Sequence, residues 1–267
     1  MLYVLCFILI AGVGLLLYGW WDTNHFSVRK TAIELERLPQ AFDGFTILQV
    51  SDLHNRAYGR DGQEMMRTIQ NLSFDCIAIT GDLLDRHLPK QRKNGYRFAM
   101  EASKVGPTYC VEGNHEWKIG WADVMKDLTR RNVRVLDNEA VFFYRGDAKL
   151  ELIGSRNMAT DSEIKALVSP NTCSVLLAHH PERIEGYART GVDLVLSGHA
   201  HGGQVRLFGH GLFSPDQGVL PRYTSGVYTW GKTKLYVSRG AGNHSFLPPR
   251  IFNRPEIDLI TLKTPSR

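Results

Sequence analysis

The chain has 267 residues, of which 43% are hydrophobic and 22% are charged. This composition, with no low-complexity run and no internal repeat, is that of one folded domain with a large core, and it excludes a disordered chain. The formal net charge of +5 suits an anionic substrate or an anionic lipid surface. The basic residues are dispersed along the chain, however, so no specific nucleic-acid partner is expected.

The first predicted element is a membrane-spanning helix. Residues 2–21 carry no charged side chain and are long enough to cross the ~30 Å hydrocarbon core of a bilayer. Trp20 and Trp21 close the segment as an interfacial aromatic pair. A cleaved signal peptide is the alternative, but no Lys or Arg precedes the apolar run and no clear small-residue cleavage site follows it. We therefore predict an uncleaved single-pass anchor over residues 1–21.

Residues 22–40 form the next segment, which we predict to be a juxtamembrane linker or an edge strand. Ser27–Lys30 and Thr31–Leu35 each show partial alternation of apolar and polar residues. Arg29, Lys30 and Arg37 follow the anchor closely, and the cytoplasmic flanks of membrane helices are enriched in such cations. This asymmetry favours placement of the rest of the chain on the cytoplasmic side of the membrane.

The remaining residues, 41–267, alternate between two hydrophobic patterns. Apolar runs rich in β-branched residues predict strands buried on both faces at Phe45–Val50, Cys76–Thr80, Val175–Ala178 and Val192–Leu196. Helical periodicity is found at Gln63–Leu72, Arg97–Lys104 and Trp121–Arg131. Strands that alternate with helices indicate a layered α/β domain. The four cysteines form no C-x-x-C pair, so buried free thiols are expected.

Five short polar motifs lie at or just after predicted strands. They are Asp52-Leu53-His54, Gly81-Asp82, Gly113-Asn114-His115-Glu116, His179-His180-Pro181 and Gly198-His199-Ala200-His201. Open α/β sheets bind ligands at the carboxyl ends of their strands. Carboxylate, imidazole and amide donors together suit Mn, Fe or Zn better than Ca or Mg. Each motif alone has an ordinary explanation, such as a helix N-cap or a core histidine, but five in order predict a site for two divalent metal ions.

In identity and order, these motifs resemble those of the calcineurin-like metallophosphoesterases, which run D-x-H, G-D, G-N-H, H and G-H-x-H. The resemblance covers residues 52–201. It implies a four-layer α/β/β/α sandwich with two mixed sheets, formed by residues 41–267. It also implies a metal-dependent phosphoric ester hydrolase that works through metal-activated water.

The resemblance further implies a role for each polar residue of the motifs. Two ions would be held by seven side chains, one ion by Asp52, His54 and His201, the other by Asn114, His179 and His199, and both by Asp82. His115 would bind no metal and would face the substrate phosphate and its leaving group as the catalytic residue. An imidazole suits that work because it titrates near neutral pH.

Three further residues have two interpretations each. His180, next to the expected ligand of its motif, is either a substrate-facing residue or a structural one. Glu116 either orients His115 by hydrogen bonding or begins the next helix. Arg239, in a glycine-rich run after a predicted strand, either contacts the substrate phosphate or belongs to a tight turn that the glycines permit.

The segment from Val205 to Val237 is rich in Tyr, Phe, Trp and Gly. We interpret Tyr223–Trp230 and Lys234–Val237 as consecutive strands of a sheet. For Leu207–Phe213 two interpretations stay open. The segment is either packed as an ordinary strand, or it is a lip that touches a lipid or the membrane surface through Phe208, Leu212 and Phe213.

The chain ends with Pro248-Pro249-Arg250 and Arg254-Pro255-Glu256-Ile257, which resemble a membrane-anchored bacterial branch of the same superfamily. That branch includes enzymes that cleave the pyrophosphate of UDP-2,3-diacylglucosamine. We therefore favour a lipid-linked phosphodiester, phosphomonoester or pyrophosphate as substrate, at a bacterial cell membrane. The alternatives are a phosphodiesterase of soluble nucleotides or nucleic acid, and a non-catalytic scaffold, although such scaffolds usually lose metal ligands. The oligomeric state leaves no mark in the sequence.

Overall fold

The computed structural model describes residues 1–243 and 249–265. Pro248, part of the carboxyl-terminal motif, lies outside the described residues. Helix α1, Leu2–Thr23, is long and apolar enough to cross a membrane, a criterion that a signal sequence also meets. Most of α1 is exposed, but Gly19, Asp22 and Thr23 in its last turns are buried.

The carboxyl-terminal end of α1 is bonded to the segment 250–254. The backbone amide of Arg250 donates to the Thr23 hydroxyl at 2.7 Å, and that of Asn253 donates to the Asp22 carboxylate at 3.0 Å. Arg254 forms an ion pair with Asp22 at 3.1 Å. Buried hydrogen bonds of this kind are costly to break, so they fix the orientation of α1 against the rest of the chain.

The strands of the described residues, in chain order, are β1 Ser27–Glu34, β2 Thr46–Val50, β3 Cys76–Ile79, β4 Thr108–Cys110, β5 Arg134–Val135, β6 Glu139–Arg145, β7 Ala148–Gly154, β8 Cys173–Leu177, β9 Leu194–Ser197, β10 Arg206–Leu207, β11 His210–Gly211, β12 Phe213–Ser214, β13 Gly218–Val219, β14 Gly226–Trp230, β15 Thr233–Val237 and β16 Glu256–Lys263. The helices after α1 are α2 Gln63–Gln70, α3 Arg92–Val105, α4 Asn114–Thr129, α5 Asp161–Leu167 and α6 Ile184–Thr190.

Twelve of these strands form two six-stranded sheets. The first has the order β1-β16-β2-β3-β4-β5, in which β16 and β2 are antiparallel and the other neighbours are parallel. The second has the order β14-β15-β9-β8-β7-β6, with antiparallel pairs at both edges and parallel strands between them. Both sheets are therefore mixed, as the resemblance implies.

The two sheets face each other across an apolar layer, to which Ile47 of β2 and Val175 of β8 both belong. Helices α2, α3 and α4 cover the outer face of the first sheet, and Ile69 of α2 lies in that core. Helices α5 and α6 cover the outer face of the second sheet, where Ile164 is buried. The expected four-layer α/β/β/α sandwich is confirmed.

Some element boundaries differ from the predicted ones for local reasons. Helix α4 begins at Asn114, well before the predicted Trp121, because its first turn is built from the polar motif and shows no helical hydrophobic period. Strand β9 begins at Leu194 and not at Val192. The intervening residue, Asp193, is instead held in an ion pair with Arg37 at 2.7 Å.

Two short hairpins, β10–β11 and β12–β13, follow the last histidine motif. The backbone of Val205, just before β10, pairs with that of Ile251 in the segment that binds α1. The hairpins therefore lie between the end of α1 and the edge of the sheets where the motifs collect.

Candidate metal centre

The seven predicted metal ligands meet at one edge of the two sheets. Each lies just after β2, β3, β4, β8 or β9, and neighbouring parallel strands end at the same edge of a sheet. Six of the side chains are buried, and that of Asn114 is half-buried. The set is Asp52, His54, Asp82, Asn114, His179, His199 and His201.

The first group of donors consists of Asp52, His54 and His201, whose ligand atoms lie within 4.8 Å of one another. Nε2 of His54 is 3.2 Å from Nε2 of His201, and the latter nitrogen is 3.6 Å from Oδ1 of Asp52. Two ring nitrogens and a carboxylate oxygen thus converge on one point. This is the donor set expected for the first ion.

The second group is centred on His179. Its Nδ1 donates to the Thr80 carbonyl at 2.8 Å, and its Nε2 faces Oδ1 of Asn114 at 3.1 Å and Oδ2 of Asp82 at 3.3 Å. A histidine that donates one N–H to a backbone carbonyl is oriented for metal binding through its other nitrogen. Burial lowers the pKa of His179, but the Asp82 carboxylate outweighs burial and raises it to about 10. His179 therefore carries a proton at neutral pH when no ion is bound.

Asp82 lies between the two groups. Its Oδ2 is 3.7 Å from His54 Nε2 as well as 3.3 Å from His179 Nε2, and its Oδ1 accepts from the His115 backbone amide at 2.8 Å. Burial raises the pKa of Asp82, but the charge and hydrogen bond of His179, together with the charges of His54 and His115, lower it to well below its usual range. The residues present therefore fit two divalent ions that share one carboxylate.

At the metal centre, several residues have a backbone conformation that residues other than glycine rarely adopt. The φ angle is positive at five of the seven predicted ligands, Asp52, His54, Asp82, His199 and His201. Such conformations cost free energy and persist only where the surroundings impose them. Here the backbone amide of His199 donates to both carboxylate oxygens of Asp52 at 3.0 Å, which is one such restraint.

Two motif glycines allow the chain segments to approach this closely. A Cβ at Gly198 would overlap the Ser51 hydroxyl and the Asp52 carboxylate. A Cβ at Gly113 would overlap the backbone nitrogen and the carboxylate of Asp82. Gly198 and Gly113 are therefore packing requirements of the centre.

Glu116 joins two of the motif loops. Its carboxylate accepts from the backbone amides of Asp82 at 2.9 Å, Leu84 at 2.8 Å and Gly113 at 3.0 Å. It therefore caps the start of α4, as one of the two interpretations holds. Burial and the nearby Asp82 raise the pKa of Glu116 to about 7.

His115 is oriented by a residue that the motifs do not contain. Its Nδ1 lies 3.4 Å from Oδ1 of Asp85 and 3.1 Å from the backbone nitrogen of Arg86. Burial lowers the pKa of His115, but the bonded Asp85 and the nearby Asp82 raise it above its usual value overall. The His115 ring packs edge-on against that of His54, at 4.7 Å between centroids, so it faces the first donor group.

His180 and Asp216 lie beside the second donor group. Nε2 of His180 is 2.6 Å from Asn157 Oδ1 and its Nδ1 is 2.8 Å from Glu182, so both ring nitrogens are engaged. Nε2 of His199 is 2.9 Å from Asp216, which leaves Nδ1 of His199 to bind an ion while that contact is kept. The contact of Asp216 with His199 could not be predicted from the motifs, because none of them includes Asp216.

Arg250 is fully buried behind His201. Its guanidinium donates to the carbonyls of Arg239 and Gly242, and Nη2 lies 3.1 Å from Nδ1 of His201. Ion binding at His201 Nε2 requires a proton on Nδ1, so Arg250 must then donate to the two carbonyls alone. The backbone amide of Arg250 also donates to the Thr23 hydroxyl in α1. One residue therefore contacts both α1 and a predicted ligand.

Arg239, the second predicted substrate contact beside His180, is not brought into the cluster. In the part of the chain that the structure describes, its side chain forms an ion pair with Glu256 at 3.2 Å and a hydrogen bond with Ser225 at 3.2 Å. The glycine-rich run around it serves the close approach of chain segments, since a Cβ at Gly240 or Gly242 would meet Asp52 or its backbone.

Comparison with known proteins identifies the family. Residues 45–203 match the family model described as calcineurin-like phosphoesterase. The metallophosphoesterase YkuE of Bacillus subtilis is 30% identical over 268 residues, covering 96% of this chain and 92% of the relative. A transmembrane protein with metallophosphoesterase domain from Danio rerio is 27% identical over 255 residues, covering 86% of this chain and 56% of the relative.

Solved structures share the fold at low sequence identity. The sulfate thiohydrolase SoxB of Thermus thermophilus matches with a TM-score of 0.52 and 17% identity, over 85% of this chain and 57% of the other. A 5′-nucleotidase precursor from the same species matches with a TM-score of 0.51 and 12% identity, over 73% and 49%. These similarities concern the fold alone. The family model and the similarity to YkuE show that the chain belongs to the calcineurin-like phosphoesterase family and is a metal-dependent phosphoester hydrolase.

Proposed function

We propose that this protein is a membrane-anchored hydrolase that binds two divalent ions, Mn, Fe or Zn, and cleaves a phosphoester of a lipid-linked substrate. The observation that carries the proposal is the position of Asp82, whose Oδ2 faces one buried donor group at 3.7 Å and the other at 3.3 Å. A carboxylate shared between two donor groups suits a two-metal hydrolytic site. We assign Asp52, His54 and His201 to one ion, and Asn114, His179 and His199 to the other.

The chain supplies orientation and a proton for the reaction. When bound, two divalent ions supply Lewis acidity and an activated water for in-line displacement at phosphorus. His115 is oriented through Nδ1 by Asp85 and the Arg86 amide, and we assign its other ring nitrogen, Nε2, to the substrate. We assign to that nitrogen the donation of a proton to the departing oxygen. His180, held by Asn157 and Glu182, lies beside the second donor group, and we assign it to face the substrate.

Membrane anchoring is supported by α1. Its composition and length suffice to span a bilayer, and its last turn is bonded to the hydrolase domain through Asp22 and Thr23. A relative named as a transmembrane protein with metallophosphoesterase domain is consistent with this placement. The cations Arg29, Lys30 and Arg37 that follow α1 favour a hydrolase domain on the cytoplasmic face of a bacterial cell membrane.

A cleft beside the metal centre suits an amphiphilic substrate. It has a volume of about 260 Å³ and is lined by Glu112, Trp117, Trp121, Arg156 and Met158. Trp117, Trp121 and Met158 offer apolar contact, and the guanidinium of Arg156, which is ion-paired with Glu163 at 2.8 Å, lies at the polar side of the cleft. Its chemistry is compatible with a substrate that joins a phosphate to an apolar chain, of which UDP-2,3-diacylglucosamine is the named candidate.

The test is hydrolysis by the full chain in detergent micelles with Mn²⁺, Fe²⁺ or Zn²⁺. The substrates are bis-p-nitrophenyl phosphate, p-nitrophenyl phosphate and UDP-2,3-diacylglucosamine. Asp82→Asn and His115→Gln are compared with Asp147→Asn, a matched control because Asp147 is exposed at the turn between β6 and β7. We expect metal-dependent turnover that both centre variants lose and that the control retains.

Each substrate decides a different part of the proposal. Turnover of the lipid that exceeds turnover of both aryl esters would support the lipid-linked substrate. Efficient hydrolysis of soluble nucleotides, with none of the lipid, would replace it by the soluble phosphodiesterase. A folded, metal-loaded chain that hydrolyses none of these substrates nor any member of a wider lipid panel would contradict the proposed function.

A further inference from the structure

Exposed apolar side chains gather on the hairpins that follow the last histidine motif. Among the described residues, six of the eleven large apolar side chains exposed after α1 belong to residues 206–220 or to Phe252. We name this surface the lip. Its exposed apolar residues are Leu207, Phe208, Phe213, Val219, Leu220 and Phe252. Soluble surfaces rarely collect so many, and contiguous apolar patches mark sites of binding to proteins, ligands or membranes.

The tips of the lip are held outward in a costly conformation. Phe208, Leu220 and Phe252 all have positive φ, between 49° and 54°. Turns with positive φ are ordinarily built from Gly, Asn or Asp, and a bulky apolar residue there is strained. Phe208 is 91% exposed and Leu220 is 71% exposed, so burial inside the protein does not compensate for the strain. The apolar side chains at these turns therefore serve a contact outside the folded chain.

The lip is continuous with the end of α1. The Phe252 ring lies 5.1 Å from that of Tyr18, and Gly19 packs so closely on Ile251 that a Cβ there would be 2.9 Å from its side chain. The Arg206 amide donates to the Ile251 carbonyl at 3.0 Å. From there the backbone bonds run on to the second hairpin, since Leu220 donates to the Leu212 carbonyl at 2.9 Å. A bilayer that holds α1 is therefore adjacent to the lip.

The lip also reaches the metal centre. Asp216, at the turn between β12 and β13, lies 2.9 Å from Nε2 of His199. The Leu212 amide donates to the carbonyl of Gly203 at 3.0 Å, and Gly203 lies two residues after His201. One hairpin thus presents apolar tips to the outside and a carboxylate to a predicted metal ligand.

We propose that the lip inserts its apolar tips into the headgroup and upper acyl region of the leaflet that α1 enters, so that the metal centre opens beside lipid headgroups. The occupant of this surface is the phospholipid bilayer itself. Interfacial segments with Phe and Leu tips enter a membrane to this shallow depth. The inference rests on the proposed anchoring by α1, and it identifies the substrate class as amphiphiles whose phosphate lies in the headgroup layer.

The first test places a fluorescent label on the lip in the reconstituted full chain. In a Cys6→Ser background, Phe208→Cys and Leu220→Cys are labelled with nitrobenzoxadiazole, because the other native cysteines are buried. Tyr144→Cys is the matched control, since Tyr144 is 69% exposed and lies on β6 away from α1. The vesicles contain phosphatidylethanolamine and phosphatidylglycerol, with or without shallow doxyl-labelled lipid.

We expect the doxyl lipid to quench both lip labels and to leave the control label unchanged, with a blue shift of emission at the lip alone. Lip labels that resemble the control in an integrated protein would overturn the proposal. So would a full chain that alkaline carbonate washes from the vesicles, because α1 would then not hold the lip at the bilayer. Neither result depends on activity.

The second test separates the lip from the chemistry. The double variant Phe208→Asn, Leu220→Asn keeps residues that tolerate positive φ, so it is expected to fold. In vesicles it should hydrolyse lipid-borne substrate at least about tenfold more slowly than the parent, with soluble bis-p-nitrophenyl phosphate changed by less than about twofold. Equal losses of turnover on both substrates would overturn the proposal that the lip inserts into the bilayer. Quenched lip labels in a protein without turnover on any phosphoester would instead leave the lip standing and defeat the proposed function.

Discussion

The metal centre and the lip lie at the same edge of the molecule, yet they are built in opposite ways. At the centre, six of the seven predicted ligands are buried and their backbone is tied by hydrogen bonds to neighbouring loops. At the lip, two-residue strands present Phe208 and Leu220 to the outside. Both regions hold strained backbone, but only at the centre do internal contacts account for it.

The difference indicates a division of labour between the two regions. In the function that we propose, the centre determines which bond is cleaved, because its donors set the chemistry of two ions. The lip determines where a substrate can be met, because its exposed tips make contact outside the chain. Substitutions at the centre should therefore affect soluble and membrane-borne substrates alike, and substitutions at the lip should affect only those substrates that a membrane carries.

The largest effect is expected from Asp82→Asn. Asparagine has nearly the same shape but cannot serve as a charged bridge between two ions, so turnover of soluble and lipid substrates alike should fall at least about 10³-fold. The measurement is initial rate together with metal content per chain by elemental analysis. A variant that retains two ions and the parental rate would show that Asp82 is not the bridge.

His115→Gln should produce the next largest effect, with a different signature. Loss of the proton donor should lower kcat by about 10² to 10³-fold while metal content stays unchanged. Comparing esters with good and poor leaving groups checks the role, because a good leaving group needs little protonation and should lose less. Equal losses for both leaving groups, or a loss of metal, would assign His115 to another role.

Asp216→Asn tests the contact between the two regions. Removal of the carboxylate that orients His199 should weaken the affinity of one ion by about tenfold, because hydrogen-bonded partners of metal ligands contribute to metal affinity. Metal titration by calorimetry measures the change, and the KM for a soluble ester at saturating metal should stay the same. Unchanged affinity for both ions would mean that Asp216 plays no part in holding the metal.

The smallest effect, on stability, is expected from Phe208→Asn. The side chain is exposed and its backbone is strained, so the free energy of unfolding should change by less than about 0.5 kcal/mol or should rise. Thermal or denaturant unfolding of the full chain in detergent measures it. A clear destabilisation would show that Phe208 packs within the protein, and the lip would then resemble the centre after all.

Much of the centre could be predicted from sequence because its donors follow recognisable strands. The runs that end before Asp52, Asp82 and His179 are apolar and β-branched, so a sheet edge was predictable for all of them. The resemblance of the ordered motifs to those of the calcineurin-like metallophosphoesterases then implied the four-layer fold. Sequence pattern could not reveal that Asp85 orients His115 or that Asp216 orients the predicted ligand His199. Asp85 and Asp216 belong to no motif and act through contacts made only in the folded chain.

The lip was only half predictable. Phe208 and Phe213 are recognisable as apolar residues near a motif, and a membrane contact was one of two interpretations. The two interpretations are distinguished by the exposed fraction of the side chains and by the backbone φ angle. Neither quantity can be predicted from the amino-acid sequence alone. Val219 and Leu220 were not predicted to contact a membrane, because they lie beyond Leu207–Phe213, the segment for which that contact was considered. Only the folded hairpin brings them close to Phe213.

Asp22 and Thr23 bind the segment 250–254 directly, so no flexible tether separates α1 from the hydrolase domain. With α1 in a bilayer, the domain cannot swing away to reach a neighbouring vesicle or the bulk solution. Enzyme and substrate must then meet by lateral diffusion within one leaflet. Turnover of a lipid substrate should follow its mole fraction in the bilayer, so that inert lipid slows the reaction whereas dilution of the suspension leaves it unchanged.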